Sequence, residues 1–139
     1  MTDWQAPWAV LMTQAEGTSV IHETVFENRF NYVYELRKMG AKIDLFNPPV
    51  EDKKTFYNFN LDDDSPEFFH AARIHGPVQL HNAVTTVSDL RAGASLVVAA
   101  LLAKGESVVH GVHTINRGYE DFDERLKKLG ADIRKEEKE

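Results

Sequence analysis

Apolar residues recur along this chain with two periods, one typical of helices and the other of strands. In the first half these patterns predict a helix, a strand, a second helix and a second strand in turn. The predicted elements are a helix over 3–15, a strand over 18–26, a helix from Asn28 to Gly40 and a strand over 42–46. The apolar face predicted for the first helix consists of Trp8, Leu11, Met12 and Ala15.

The second half repeats this order. A helix that is apolar nearly all round, and therefore expected to be buried on most sides, comes first. The predicted elements are a helix over 89–103, a strand over 106–112, a helix over 117–129 and a strand over 131–134, followed by a solvated tail over 135–139. The face predicted for the second of these helices consists of Tyr119, Phe122, Leu126 and Leu129.

The two halves also share their residues. AEGTSVIHETVFENRF (15–30) aligns without a gap with AKGESVVHGVHTINRG (103–118), and ELRKMGAKI (35–43) mirrors RLKKLGADI (125–133). A repeat of this kind indicates a duplicated structural unit. We therefore predict one partial α/β (α+β) domain over 1–139, with repeat copies at 3–46 and 89–134.

Each copy resembles a βαβαββ unit, and the first lacks its leading strand because the chain opens on a helix. The segment between the copies, 55–87, is expected to supply connecting strands. These are predicted over 55–61, around Ile74 and over 78–87, with a solvated acidic loop over 62–66.

Composition narrows the function. The chain has 139 residues, of which 42% are hydrophobic and 27% charged, as in an ordinary globular domain. Its net charge of −6 argues against a general nucleic-acid binder. The absence of cysteine excludes disulfides, thiolate metal sites and a cysteine nucleophile within these residues. The start, MTDWQAPW, does not resemble a signal peptide, and no apolar stretch is long enough to span a membrane, so we expect a cytoplasmic location.

Charged residues stand where predicted strands pass into predicted helices. They are Asp3, Asp89 with Arg91, and Arg117. Helix N-termini favour anions, so an arginine in a first turn is better tolerated if it faces a carboxylate or phosphate. Asp3 and Asp89 are also explained as plain N-caps, and Arg117 as a surface residue that pairs with Glu120 or Asp121.

Other candidate sites are weaker. His22 and His110 occupy equivalent repeat positions, which indicates a structural role. His110 and His113 lack a convincing third ligand, so no metal is predicted. There is no glycine-rich phosphate loop and no nucleophile elbow.

The combination of TDWQAP, ETVFENRF, DLRAGAS, INRGYE and LKKLGADI resembles the C-terminal part of the enolpyruvyl transferases. The similarity is greatest to the branch that acts on UDP-N-acetylglucosamine, and it is weakest over 48–79. One departure is Asn116, where the family pattern usually has aspartate. The resemblance implies a domain of repeated βαβαββ units, with helices inside and sheets outside.

The resemblance also implies a reaction. The enolpyruvyl group of phosphoenolpyruvate moves to the 3′-hydroxyl of UDP-N-acetylglucosamine in peptidoglycan precursor synthesis, without a metal or other cofactor. It implies that Asp3 binds the sugar hydroxyl and acts as the base, that Val25 contacts the UDP-sugar, and that Asp89 supports the site and takes part in proton transfer. Arg91 and Arg117 match arginines that contact phosphoenolpyruvate.

Enzymes of this family are longer, and their N-terminal domain brings a lysine, further arginines and the loop residue that protonates phosphoenolpyruvate. We therefore expect the isolated chain to be inactive, and to need a chain that supplies this part or to self-associate. Two alternatives to this interpretation stay open. One is a non-catalytic truncated paralogue that serves as a binding or assembly module. The other is a fragment of a 3-phosphoshikimate 1-carboxyvinyltransferase.

Overall fold

A computed structural model describes residues 2–136, so part of the predicted tail, 137–139, lies outside the described residues. The described chain forms six α-helices and five strands. The helices are α1 (Gln5–Gln14), α2 (Tyr32–Lys38), α3 (Lys53–Phe56), α4 (Leu90–Leu102), α5 (His113–Asn116) and α6 (Phe122–Lys128). The strands are β1 (Gly17–His22), β2 (Lys42–Phe46), β3 (Ala71–Gly76), β4 (Val84–Thr86) and β5 (Val108–His110).

The first sheet has the strand order β1-β3-β2. Both outer strands are antiparallel to β3, with Ile21 opposite Ala72 and Ile43 opposite Ile74. β1 and β2 are therefore parallel to each other, and α2 makes the crossover between them. The strand predicted around Ile74 is confirmed as the centre of this sheet.

The second sheet pairs β4 with β5 in parallel, and α4 connects them. Val84 lies opposite Val108 and Thr86 opposite His110. Both predicted copies thus have a helix followed by a strand that ends at a histidine, His22 in one and His110 in the other. The boundaries of the copies and of the partial domain stay predictions.

The main core lies between the first sheet and helices α1, α2 and α4. Val33, Leu36 and Ile74 are fully buried there. A smaller cluster of Val87, Val97 and Ile115 lies under α5 and α6. Within residues 2–136, no helix is both long enough and apolar enough to cross a bilayer.

The buried face of α1 differs from the prediction. Trp8 and Leu11, which were expected to be buried, are 49% and 55% exposed. The buried residues of this helix are Gln5, Ala6, Ala9, Val10 and Thr13. Alanines on the buried face let α1 pack closely against α4, which carries several buried alanines of its own.

Several predicted strands are wrong or shortened. The strand predicted over 18–26 forms as β1 and ends at His22, and the one predicted over 106–112 forms only over Val108–His110. The segment 55–61 starts as the helical turn α3, because the Asp52 side chain accepts from the backbone N–H of Lys54 and caps it. Only β4 forms within 78–87, since Val78 and His81 donate their backbone N–H groups to the carbonyls of Thr13 in α1 and of Met39 just after α2 instead. The segment 131–134 is not a strand and has no strand partner in the described chain.

The helix predicted over 117–129 is only partly correct, because α6 forms within it and α5 lies before it. Asp121 has a left-handed backbone (φ 48°), which separates α5 from α6. Tyr119 and Leu129 are therefore exposed, whereas Phe122 and Leu126 pack on the smaller core cluster. The helix predicted from Asn28 also begins later, because α2 starts after Asn31.

Candidate functional site

A shallow cleft lies where α1 and α4 begin side by side. Its lining combines charged side chains with two buried polar ones. The lining residues are Thr2, Gln5, Ala6, Arg29, Tyr32, Asp89, Arg91 and Ala92. Two of the predicted site residues, Asp89 and Arg91, are among them, and Asp3 lies beside Thr2 at the same edge.

Asp3 and Arg91 form an ion pair across the two helix starts. Nε of Arg91 donates to Oδ1 of Asp3 at 2.5 Å, and both side chains are largely exposed. This hydrogen bond raises the pKa of Arg91 above its usual value, and the charge of Asp89 adds to the effect. The expectation that a first-turn arginine faces an anionic group is thus met by a carboxylate.

Asp3 does not cap α1. It lies in a 3₁₀ turn (Thr2–Trp4), and the residue at the cap position is Trp4, which makes no side-chain cap. The N-cap explanation of Asp3 is therefore wrong for α1. Its second carboxylate oxygen, Oδ2, takes part in none of the described hydrogen bonds.

Asp89 does cap α4. Its backbone is extended and its Oδ1 accepts from the N–H of Ala92 at 2.9 Å. The cap fixes this carboxylate at the positive end of a 13-residue helix. Asp89 therefore stabilises α4 at the same point where it lines the cleft, and its role in proton transfer stays a prediction.

Glu23 connects the cleft to the loop after β1, and sequence reasoning missed it. Its side chain is buried, and Oε2 accepts from Thr2 Oγ1 at 2.8 Å and from Gln5 Nε2 at 2.6 Å. Its other oxygen, Oε1, accepts from the backbone N–H of Val25 at 2.8 Å. The only available signal was that this carboxylate stands opposite Gly111 in the other repeat copy.

Val25 is positioned by that contact. Its N–H is used by Glu23, and the residue as a whole is 39% exposed. The structure therefore ties Val25 to Thr2 and Gln5, next to Asp3, through one buried carboxylate. Three of the predicted site residues, Asp3, Asp89 and Arg91, meet at the cleft, and Val25 is linked to it.

Arg29 and Tyr32 are further residues of the cleft that were not predicted as part of a site. The Arg29 guanidinium lies over the Phe26 ring, 3.9 Å from its centroid, which holds the charge in place. Burial, followed by the charges of Glu23 and Asp89, raises the pKa of Tyr32 far above its usual value. Its hydroxyl has no partner among the described residues.

Arg117 lies outside the cleft lining. It follows α5 rather than opening a helix, it is exposed, and it forms none of the described ion pairs or hydrogen bonds. The alternative pairing with Glu120 or Asp121 is also wrong, since Glu120 pairs with Arg125 at 3.6 Å. The neighbouring Gly118 packs on Leu90, so Arg117 is close in the chain to the start of α4.

Comparison with known proteins decides the family. The model for the EPSP synthase (3-phosphoshikimate 1-carboxyvinyltransferase) family matches residues 1–126. The chain belongs to this family. The resemblance seen in the sequence motifs to enolpyruvyl transferases is thereby confirmed.

Relatives with higher similarity carry a more specific name. A UDP-N-acetylglucosamine 1-carboxyvinyltransferase of Chlamydia muridarum is 46% identical over 134 residues, 96% of this chain and 29% of the relative. One from Halothermothrix orenii is 45% identical over 96% of this chain and 27% of its own length. The chain thus spans less than a third of the curated relatives it matches.

A solved structure confirms the fold. The enolpyruvyl transferase NikO from Streptomyces tendae matches with a TM-score of 0.75 and 33% sequence identity. The match covers 96% of this chain and 26% of the NikO chain. The mixed α/β architecture described above is therefore that of part of an enolpyruvyl transferase. The part of NikO that matches is about as large a share of its chain as in the two relatives above.

The cleft of this family member offers two kinds of chemistry. The guanidinium groups of Arg29 and Arg91 can hold a phosphate or carboxylate through paired N–H donors. The carboxylates of Asp3 and Asp89 can accept a proton or a hydroxyl hydrogen bond. Cations and bases on one surface suit a reaction between an anion and a hydroxyl group.

Proposed function

We propose that this chain is the part of a UDP-N-acetylglucosamine 1-carboxyvinyltransferase that holds the sugar hydroxyl and one side of the enolpyruvyl donor. The observation that supports this best is the ion pair of Asp3 and Arg91 beside Asp89. It brings the carboxylate beside the start of α1 together with the guanidinium at the start of α4. The carboxylate that caps α4 lies next to them in the cleft. The names of relatives at 43–46% identity indicate the acceptor sugar.

In the proposed reaction Asp3 removes the proton of the 3′-hydroxyl. Its Oδ1 is held by Arg91, so Oδ2 is the oxygen that accepts the proton. The sugar oxygen then bonds to the central carbon of phosphoenolpyruvate while the methylene carbon gains a proton. Loss of that proton and cleavage of the carbon–oxygen bond to phosphate restore the double bond and release phosphate.

Arg91 and Arg117 are proposed to hold the anionic groups of phosphoenolpyruvate, and Val25 to contact the UDP-sugar. Arg91 is fixed by Asp3 in the cleft, whereas Arg117 is exposed just after α5. Asp89 is proposed to support the site and to take part in proton transfer. The rest of the enzyme, from another chain or another copy, is proposed to close over this surface in the cytoplasm.

Titration of the ¹⁵N-labelled chain tests the proposal. UDP-N-acetylglucosamine is expected to shift the amide signals of Asp3, Val25 and Ala92, whereas shikimate 3-phosphate leaves them unchanged. Asp3→Asn removes the hydroxyl-binding charge and is expected to weaken binding about tenfold, as for loss of a hydrogen bond to a charged group. Asp62→Asn, the same change at an exposed remote carboxylate, is the matched control.

Two results would count against this proposal. A response to shikimate 3-phosphate at the same amides, with none to the UDP-sugar, would assign the chain to the shikimate branch. Equal binding by wild type and the Asp3 variant would remove Asp3 from the sugar site.

A further inference from the structure

Glu23 carries a buried carboxylate, and the proposed reaction gives it no role. It is 4% exposed, and its repeat counterpart is a glycine. Burial of a carboxylate is costly unless hydrogen bonds replace its water. Glu23 meets this condition with donors from two segments that are far apart in the sequence.

The two carboxylate oxygens serve different segments. Oε2 receives both donors from the start of the chain, Thr2 Oγ1 and Gln5 Nε2, which flank Asp3 in sequence. Oε1 receives the backbone N–H of Val25 and, at 3.4 Å, that of Phe26. Glu23 therefore fixes the distance between the turn that carries Asp3 and the loop that carries Val25.

All four contacts require an acceptor. Two side chains donate on one side and two backbone N–H groups on the other, so an ionised carboxylate is the group that satisfies the whole set. An amide at this position offers only one acceptor oxygen and places its NH₂ group against existing donors. The donors as they are arranged here therefore fit glutamate better than glutamine.

We propose that Glu23 is a positioning residue, which holds Asp3 and Val25 in the mutual arrangement that binds one UDP-sugar. The part of this proposal that concerns the ligand rests on the proposed function. The part that concerns the link between the two segments does not, and it can be measured without a ligand.

The first measurement is hydrogen exchange at the amide of Val25 by NMR. Glu23→Gln is expected to speed exchange there about tenfold or more, because a bond to a charged acceptor is weakened or lost. Glu27→Gln makes the same chemical change four residues on, at a side chain with no described hydrogen bond, and is expected to leave the rate unchanged.

A double variant that exchanges the residues at positions 5 and 23 is designed to restore the link. In the double variant Glu23→Gln with Gln5→Glu, the new amide at position 23 donates to the new carboxylate at position 5. Its oxygen stays free to accept from Val25. Composition and net charge equal those of wild type, and protection of the Val25 amide is expected to return to within about threefold of wild type if the link itself matters.

Binding of UDP-N-acetylglucosamine is then compared in the same proteins. Glu23→Gln is expected to weaken it about tenfold, and the double variant to recover most of that loss.

Unchanged Val25 exchange in Glu23→Gln would overturn the link. Rescued exchange without rescued binding would overturn its role in positioning the sugar site. No binding by wild type would instead count against the proposed function, while the exchange result would still decide whether Glu23 joins the segments.

Discussion

Three carboxylates near the cleft have three different structural tasks. Asp3 pairs with a guanidinium, Asp89 caps a helix and Glu23 joins two segments. These tasks differ in burial, since Asp3 is exposed and Glu23 buried. Substitutions at the three positions should therefore separate effects on stability from effects on binding.

Asp89 is the position where cap and site can be separated. Asp89→Ala removes the cap of α4 and is expected to lower the free energy of unfolding by about 1 kcal/mol. Asp89→Ser retains a capping oxygen and is expected to stay within about 0.5 kcal/mol of wild type. Urea unfolding followed by circular dichroism measures both. Equal losses in the two variants would show that the carboxylate stabilises α4 by another route.

At the scale of single residues, the sequence predicted the site residues that lie where one expected element passes into the next. Asp3, Asp89 and Arg91 were predicted because each stands beside an expected helix start. Glu23 was missed, because its partners Thr2 and Gln5 are more than a dozen residues away and only folding brings them close. Arg29 was missed, because only the folded chain brings it into the same cleft lining as Asp89 and Arg91. Arg117 was placed at a helix start that does not exist, because the left-handed Asp121 begins α6 later.

At the scale of elements, periodic segments were predicted well and irregular ones poorly. Helices α1, α2 and α4 and strands β2 and β5 lie inside their predicted segments, and β1 begins one residue before its own. The alternating segment 55–61 imitates a strand, but its aromatic residues instead pack on histidines, as Tyr57 does on His70. Local alternation does not reveal whether a neighbouring strand is available for pairing.

The end of β3 is closely fitted to the end of α1. A Cβ at Gly76 would lie 2.2 Å from the carbonyl oxygen of Ala15 and 2.6 Å from that of Met12, both backbone atoms that cannot rotate away. Gly76→Ala is therefore expected to destabilise the fold by about 3 kcal/mol, at the upper end of overpacking effects.

Gly130→Ala serves as the comparison. It has open space for a Cβ and only a positive φ to oppose it, so it is expected to cost about 1 kcal/mol. Thermal and urea unfolding measure both variants. If Gly76→Ala cost no more than Gly130→Ala, the close approach of β3 to α1 would be wrong.

His22 lies where β1, α3 and β3 meet. Its Nε2 lies 3.1 Å from the hydroxyl of Tyr57. Burial, and then the charge of His70, lower the pKa of His22, while Glu23 opposes them. The folded chain therefore binds fewer protons than the unfolded chain as the pH falls below about 6.5, the ordinary value for histidine.

Stability is accordingly expected to fall on acidification from about pH 6.5, and to fall less in a His22→Gln variant. The measurement is urea unfolding between about pH 7.5 and about pH 5, on either side of the ordinary histidine pKa. His110→Gln, at the equivalent repeat position but exposed, is the matched control and should keep the wild-type pH dependence. The same slope in the His22 variant and wild type would contradict the assignment.

At the scale of the whole molecule, the proposed reaction needs more groups than the cleft provides. The chain spans 27–29% of the two relatives from Halothermothrix orenii and Chlamydia muridarum. The proposed reaction also requires an acid that protonates the methylene carbon of phosphoenolpyruvate. Tyr32 holds its proton more tightly than an ordinary tyrosine, so it does not suit that task.

We therefore expect the isolated chain to release no phosphate from phosphoenolpyruvate in the presence of UDP-N-acetylglucosamine. A second polypeptide that carries the remainder of the Chlamydia muridarum relative would supply the missing acid and cations if the proposed function is correct. Phosphate release is then expected from the mixture, and not from a mixture made with the Asp3→Asn chain. A colorimetric phosphate assay measures all three samples.

Release by the isolated chain would show that the described cleft contains a proton donor after all. Failure of the wild-type mixture despite complex formation would favour a binding or assembly module.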